Sequence, residues 1–355
     1  MNVVHQSFEG RYSDNPRALY ERWLRERPDD SHLWLAHPAH RSTFPADVVT
    51  VTPYDAECVA ALEAADIVVA NTHTDVEWTK RDESVYLQTW HGTPLKRIHR
   101  DVLWAPPGRL DRLDRDIARW DVLLSPNGPS TPRLRRAFGY VGDVWETGYP
   151  RNDLLLSPDR DAVRRRVRAE FGIDDDTVVI LYAPTWRDDA VFAETTAPVP
   201  LALDVSELMA QLGPRFHLLL RVHALQTDRH TATSSPCVDD ASLYAEVAEL
   251  YLAADVLVTD YSSAMFDFAA TGKPLLFYVY DFERFRDDVR GVYFDLAAEA
   301  PGPLLREPTA LIDAVLDLDA VRERYRDRYA AFRDRYCSLE DGRASERVLR
   351  RLWTR

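Results

Sequence analysis

Cysteine is scarce. Three thiols, Cys58, Cys237 and Cys337, stand far apart, with neither C-x-x-C nor metal-ligand spacing. With no disulfide framework to lean on, the chain reads as a reduced protein held by its hydrophobic core. Positive charge is in the minority as well. Against 58 Asp and Glu there are 44 Lys and Arg, a formal net charge of −14. That excludes nonspecific attachment of the whole surface to nucleic acid or to an anionic membrane, and leaves room only for a local basic patch. No apolar run approaches the ~20 residues that cross a bilayer. The opening Met1-Asn-Val-Val-His-Gln-Ser-Phe8 has neither the basic region nor the apolar core of an export signal. The expected location is the cytoplasmic side, with no nucleic-acid partner.

Common nucleotide motifs are missing too. There is no P-loop lysine motif, no G-x-G-x-x-G turn and no G-x-S-x-G elbow, which argues against the chemistries those loops serve. No Asp-x-Asp follows an apolar strand; Asp174-Asp-Asp176 precedes one. The sequence therefore calls for no cofactor and offers no metal ligands, with dependence on a divalent metal left open. If a phosphate is bound, helix ends and cationic side chains must neutralise it.

What is present is core. Hydrophobic residues make up 46% of 355, with nine Trp and sixteen Tyr, enough for two domains. Short β-forming runs recur at Val3–Gln6, Leu33–Ala36, Val48–Val51, Ile67–Ala70, Val85–Thr89, Val122–Ser125 and Val144–Thr147. A second set follows at Val178–Tyr182, His217–Val222, Val256–Thr259 and Leu275–Tyr278, with helical spacing between most neighbours. Strand–helix–strand repeated twice predicts an α/β protein of two parallel sheets. The turn-rich Gly148-Tyr-Pro-Arg-Asn-Asp153 marks the boundary. We expect an amino-terminal domain over 1–150 and a second over 151–338, with 339–355 a helix crossing back onto the first. Ligands of such folds lie at the carboxyl ends of the strands.

Four segments fall there. In Gln88-Thr-Trp-His91-Gly-Thr-Pro94-Leu-Lys96, a histidine directly follows a strand and can take a proton from an attacking hydroxyl; the plainer reading is a satisfied turn histidine. Gly92 admits close approach of backbone, and Pro94 suits the first turn of a helix. Thr93 and Lys96 complete an acceptor side. In Leu181-Tyr-Ala-Pro-Thr185-Trp-Arg187-Asp188, Arg187 offers a planar fork of donors for phosphate, or else belongs to an ion-pair loop. In Leu219-Leu-Arg221-Val-His223, alternation puts Arg221 and His223 on one face, for an anion or a salt bridge. In Val258-Thr-Asp-Tyr-Ser262-Ser263-Ala-Met-Phe-Asp267, two hydroxyls open a helix where backbone amides attract an anion; the even alternative is a serine that simply caps the helix. Asp267 accepts from ribose hydroxyls or caps its own helix. The segment Asp188–Pro200 reads as an irregular cleft-side loop.

Trp90-His-Gly-Thr-Pro-Leu-Lys96, Gly148-Tyr-Pro-Arg-Asn-Asp153, Tyr182-Ala-Pro-Thr-Trp-Arg-Asp188 and Val258-Thr-Asp-Tyr-Ser-Ser263 together resemble the signature blocks of the CDP-glycerol glycerophosphotransferase family. Those are the primases and polymerases of teichoic acid synthesis and related capsule enzymes. Phe277-Tyr-Val-Tyr-Asp281, Arg290-Gly-Val-Tyr-Phe-Asp295, Ser7-Phe-Glu-Gly10 and Tyr12-Ser-Asp-Asn-Pro16 also fit, so the resemblance runs from Ser7 to Asp295 in order. It implies a GT-B fold, two Rossmann-like domains with a cleft between them and the second holding CDP. It implies transfer of a polyol phosphate, glycerol phosphate first among them, from a CDP-alcohol to a hydroxyl of a lipid-linked or polymeric acceptor, with release of CMP. His91 becomes the general base; Thr185, His223, Ser262 and Ser263 become diphosphate contacts. The family pattern often has Pro after the second-domain histidine, where this chain has Ala224. Peripheral contact with the inner membrane face would follow, through the basic, Trp-bearing stretch Lys96–Arg119; the alternative is a solvated helix with alternating Arg and Asp at Arg109–Arg119. A nucleotide-sugar glycosyltransferase or epimerase on the same fold is the competing expectation.

Overall fold

Ile67–Ala70, Val122–Ser125 and Val256–Thr259 are buried at every residue, on both faces of the strand, as in a sheet covered on two sides. The computed structural model describes residues 1–8, 10–105, 108–185, 187, 201–222 and 236–355. The first sheet has seven parallel strands in the order β3-β2-β1-β4-β5-β6-β7. They are β1 (Asn2–Gln6), β2 (Ser31–Leu35), β3 (Thr50–Val51), β4 (Ile67–Ala70), β5 (Val85–Gln88), β6 (Val122–Ser125) and β7 (Asp143–Glu146). The second has six parallel strands in the order β10-β9-β8-β11-β12-β13. These are β8 (Val178–Ala183), β9 (Phe216–Leu220), β10 (Val238–Asp240), β11 (Val256–Thr259), β12 (Leu275–Tyr278) and β13 (Leu304–Leu305). Both sheets are open, the two-sheet α/β architecture expected. The edge strands β10 and β13 were not expected; at three and two residues, neither is long enough to show a period.

Each sheet packs helices on both sides. In the first, Val4, Val68 and Leu123 face one cluster and Val3, Val69 and Leu124 the other. The latter is closed by Leu19 and Trp23 of one helix and by Val348, Leu349 and Leu352 of the last, Ala344–Trp353. That helix comes back from the far end of the chain to cover the first sheet. At about 1.5–3 kcal/mol for each fully buried aliphatic side chain, its three inward residues are enough to dock it. In the second sheet, Val179, Leu181 and Leu257 face one core while Ile180, Tyr182 and Val258 face Leu208, Met209 and Leu311.

Strand order reverses between β1 and β4 in one sheet and between β8 and β11 in the other. Such switch points open a crevice at the carboxyl ends, because the crossover connections leave to opposite sides. Three of the four segments singled out above leave β5, β8 and β11 at those ends. The fourth, after β9, is described only as far as Val222, and His223 lies outside the described residues, as do Trp186 and the stretch 188–200.

Candidate active site

The His91 turn and the Ser262/Ser263 turn meet. A methyl group built on Gly92 would lie 2.7 Å from Ser263 Oγ, closer than real Cβ atoms come. Glycine is therefore what lets the two carboxyl-end loops touch. The expected helix after Pro94 does not form. Instead the chain pairs across the cleft: Lys96 bridges Val292, Tyr293 N donates to the Leu95 carbonyl at 2.8 Å and Arg97 N to the Gly291 carbonyl at 3.1 Å. Thr93 is buried at this junction and Lys96 half-buried.

His91 is half-buried, with Nδ1 2.5 Å from the Asn71 carbonyl. A carbonyl only accepts, so Nδ1 carries the proton and Nε2 keeps its lone pair. Burial drives the ring's pKa down to about 4, with Arg151 and His73 pushing the same way against the Asn71 carbonyl and Asp14. At neutral pH His91 is a free base. Phe8 and Trp90 flank its ring, at 5.3 and 4.1 Å between centroids.

On the opposite wall, Thr185 is fixed by its amide, which donates to Asp260 Oδ1 at 2.8 Å. Its buried Oγ1 has no hydrogen-bond partner among the described residues. Ser262 Oγ accepts from Ala264 N at 3.2 Å, leaving its own proton to donate. The helix it opens, Ala264–Ala269, is only six residues long, and its first amides are engaged: Met265 N on the Ser262 carbonyl, Phe266 N on that of Ser263. The expected cradle thus loses the first helical amides and keeps the two hydroxyls. A short helix spends its N–H groups on its own turn.

Two expected anion donors are committed elsewhere. Arg187 is buried, with Nε and Nη2 on Asp281 at 2.7 and 2.9 Å and Nη1 on Asp260 at 3.0 Å. Burial opposes its charge and the two carboxylates outweigh burial. It ties the ends of β8, β11 and β12 together, the ion-pair alternative in buried form. Arg221 Nη1 donates to the carbonyls of Ala241 and Tyr244 at 3.0 and 2.8 Å, holding the loop after β10; burial lowers its pKa. Asp267 is neither ribose ligand nor cap. Its Oδ2 accepts from Arg151 Nη2 at 2.7 Å and its Oδ1 from Asn152 at 2.9 Å. Arg151 continues to Asp14 Oδ2 at 2.5 Å and to the His91 carbonyl at 2.9 Å. Sequence reasoning missed Asn71, Asp14 and Arg151 as parts of this site. Arg151 lay in a quoted block but was read only as a boundary, and Asn71 acts through a main-chain carbonyl, which no residue type betrays.

The chain matches the CDP-glycerol:poly(glycerophosphate) glycerophosphotransferase family over residues 1–354. It belongs to that family. A teichoic acid glycerol-phosphate transferase of Staphylococcus aureus is 38% identical, over 98% of this chain and 91% of that protein. A teichoic acid poly(glycerol phosphate) polymerase of Bacillus subtilis is 36% identical, again over 98% of this chain but only 48% of the relative. The solved wall teichoic acid polymerase TagF superposes with a TM-score of 0.89 at 34% identity, covering 98% of this chain and 87% of that one. A UDP-GlcNAc 2-epimerase from Neisseria meningitidis shares the fold alone, at TM-score 0.59 and 15% identity. The two-domain GT-B architecture and a transferase activity thus stand on family membership.

The motif blocks of this glycerophosphotransferase family member now find their partners. Arg187, Asp260 and Asp281 come from three blocks and meet in one ion-pair cluster. The Trp90–Lys96 block pairs with the Arg290–Asp295 block. Asp14 and Arg151 join the opening block to the crossing block. Much of what the sequence displayed as signature is the framework that brings the cleft walls together.

Proposed function

We propose that this chain transfers glycerol phosphate from CDP-glycerol to a hydroxyl of a glycerophosphate polymer, or of a lipid-linked precursor of one, in teichoic acid synthesis. The first-sheet unit, 1–150, serves the acceptor and 151–338 the donor. The observation that carries this is the contact of the two loops: a neutral histidine base beside a serine pair across a glycine. The donor diphosphate lies against Thr185, Ser262, Ser263 and His223. His91 Nε2 takes the proton of the acceptor hydroxyl as its oxygen bonds to the β-phosphorus. The bond from that phosphorus to the bridging oxygen breaks, and CMP leaves with the electron pair. Proximity and charge stabilisation supply most of the rate in such transfers. The acceptor arrives by way of a membrane surface, touched peripherally by the Leu103–Trp104 segment. Among the described residues no helix is long and apolar enough to cross a membrane.

The test is an assay of CMP release and product mass with CDP-glycerol, CDP-ribitol and UDP-GlcNAc, each with a glycerophosphate oligomer. CDP-glycerol should be turned over best. His91→Ala should lower kcat roughly 10²–10⁴-fold, the range for losing a general base, while CDP-glycerol still raises the melting temperature. Turnover of UDP-GlcNAc in place of CDP-glycerol would overturn the reading. Loss of donor binding in His91→Ala would move His91 to the donor side.

A further inference from the structure

The segment that joins the two sheets, Pro150–Leu156, carries a side chain that grips both. Arg151 is buried, and its Nη1 and Nη2 serve three acceptors on three elements. Asp14 opens the first helix, His91 offers the carbonyl of the base itself, and Asp267 lies on the helix that starts after the serine pair. The Arg151 amide also donates, to Asn15 Oδ1 at 3.1 Å, and Asn15 Nδ2 donates to the Trp90 carbonyl at 2.9 Å.

Those contacts land on strained backbone. Asp14 and Trp90 have φ of 64° and 55°, a region a non-glycine residue occupies at a cost of about 1–3 kcal/mol and only when its surroundings hold it there. Arg151 holds both, Asp14 by its side chain and Trp90 through Asn15. A lysine would keep the main-chain link to Asn15 and lose the rest: one ammonium cannot reach the Asp14, His91 and Asp267 acceptors laid out for a planar fork.

We propose that Arg151 is a positioning residue for the transfer, setting the His91 turn in register with the serine-pair helix from the crossing between the sheets. The inference rests on the reading of His91 as base. A shift of about 1 Å in a reacting group costs on the order of 100-fold in rate, so register is where such a residue acts. Its charge supplies an independent signature. The groups acting on the His91 ring are Asp14, Arg151 and His73 by charge and the Asn71 carbonyl by hydrogen bond. Asp14 favours the protonated ring and Arg151 disfavours it, so their removal shifts the histidine in opposite directions.

The experiment compares Arg151→Lys, Arg151→Gln and Asp14→Asn in the full-length protein, with Arg168→Lys as a control. Arg168 makes another buried ion pair, with Asp255, remote in the fold from His91. Two readouts are taken: steady-state kinetics with CDP-glycerol, and NMR titration of the His91 ring, identified by its absence in His91→Gln. Arg151→Lys should lower kcat roughly 100-fold with KM for CDP-glycerol within about threefold. Arg151→Gln should raise the His91 pKa and Asp14→Asn lower it, the opposite directions that a cation and an anion impose on an imidazole. Arg168→Lys should lose stability without either change. Full kcat in Arg151→Lys, or His91 titrating unmoved in both Arg151→Gln and Asp14→Asn, overturns the inference. If Arg151→Gln does not fold, Asp14→Asn decides the titration. If the wild type does not turn over CDP-glycerol, the function reading fails by itself and the titration alone decides this one.

Discussion

At the residue scale the cleft turns on Gly92. The Cβ that alanine would add meets Ser263 Oγ at 2.7 Å and Ser263 Cβ at 3.0 Å. Rotating the hydroxyl away relieves the first contact and not the second, so the loops must part. Gly92→Ala should destabilise by about 1–3 kcal/mol, the usual cost of overpacking, and reduce kcat as the walls separate. Ser263→Gly in the same chain should restore the melting temperature. The double-mutant cycle should show coupling of at least about 0.5 kcal/mol; strict additivity would mean that the two loops do not touch in solution. His91 and Gly92 were legible in the sequence because a histidine and a glycine within a few residues of the end of an apolar strand have to sit on the carboxyl-end rim. What makes His91 a base was not legible. The Asn71 carbonyl fixes the tautomer, and any residue at position 71 would present one. Arg187 was legible as important and open in kind: a guanidinium beside a strand end looks the same in sequence whether it awaits a phosphate or already holds Asp260 and Asp281.

Elements were read well wherever an apolar run was unbroken, whatever its length. The periodicity found β4, β6, β11 and β12 residue for residue, because each is a run of apolar residues with turn-forming polar residues beyond it. It mistook the stretch after Pro94, where proline's fixed φ suits a helix start and equally suits an extended strand-like edge. Local preference left both open, and the partner at Val292, far along the chain, settled it. Downstream of that edge, Leu103 and Trp104 are 43% and 59% exposed, a few residues after Arg97 and Arg100 in the chain. Paired exposed apolar side chains in a segment that also carries cations fit an interfacial contact, in which the leucine and the indole enter the headgroup layer and the cations meet anionic lipid. In flotation with vesicles containing anionic lipid, the protein should rise with the vesicles, and less so at high salt. Leu103→Ala with Trp104→Ala should leave most of it at the bottom of the gradient. Equal recovery of variant and wild type would reduce the segment to an ordinary solvated loop.

For the molecule as a whole, the seam between the two units is a site of buried charge, and one carboxyl there should make stability depend on pH. Glu246, at the start of the helix Val247–Ala253, accepts the Asp14 amide across the seam at 2.9 Å. Burial raises its pKa from the ordinary 4.5 to about 7, with Asp14 adding to the rise and Arg17 opposing it. Between those two values the folded protein holds a proton that the unfolded chain has released, so folding is favoured at low pH and the advantage drains away as pH climbs. The contribution is complete below about pH 4.5 and gone above about pH 7, and at 1.36 kcal/mol per unit it is on the order of 3 kcal/mol. Lys273 works in the other direction. Burial lowers it to about 7, so its cost is felt at low pH and fades as pH rises from about 7 toward 10.5. Glu246→Gln separates the two, since an amide keeps the acceptor for Asp14 and cannot ionise. At pH 8 the variant should melt a few degrees above the wild type, and at pH 5 the two should coincide, by calorimetry in matched buffers. A variant less stable than the wild type at pH 8 would mean that the ionised carboxylate, paired with Arg17, is what closes the seam.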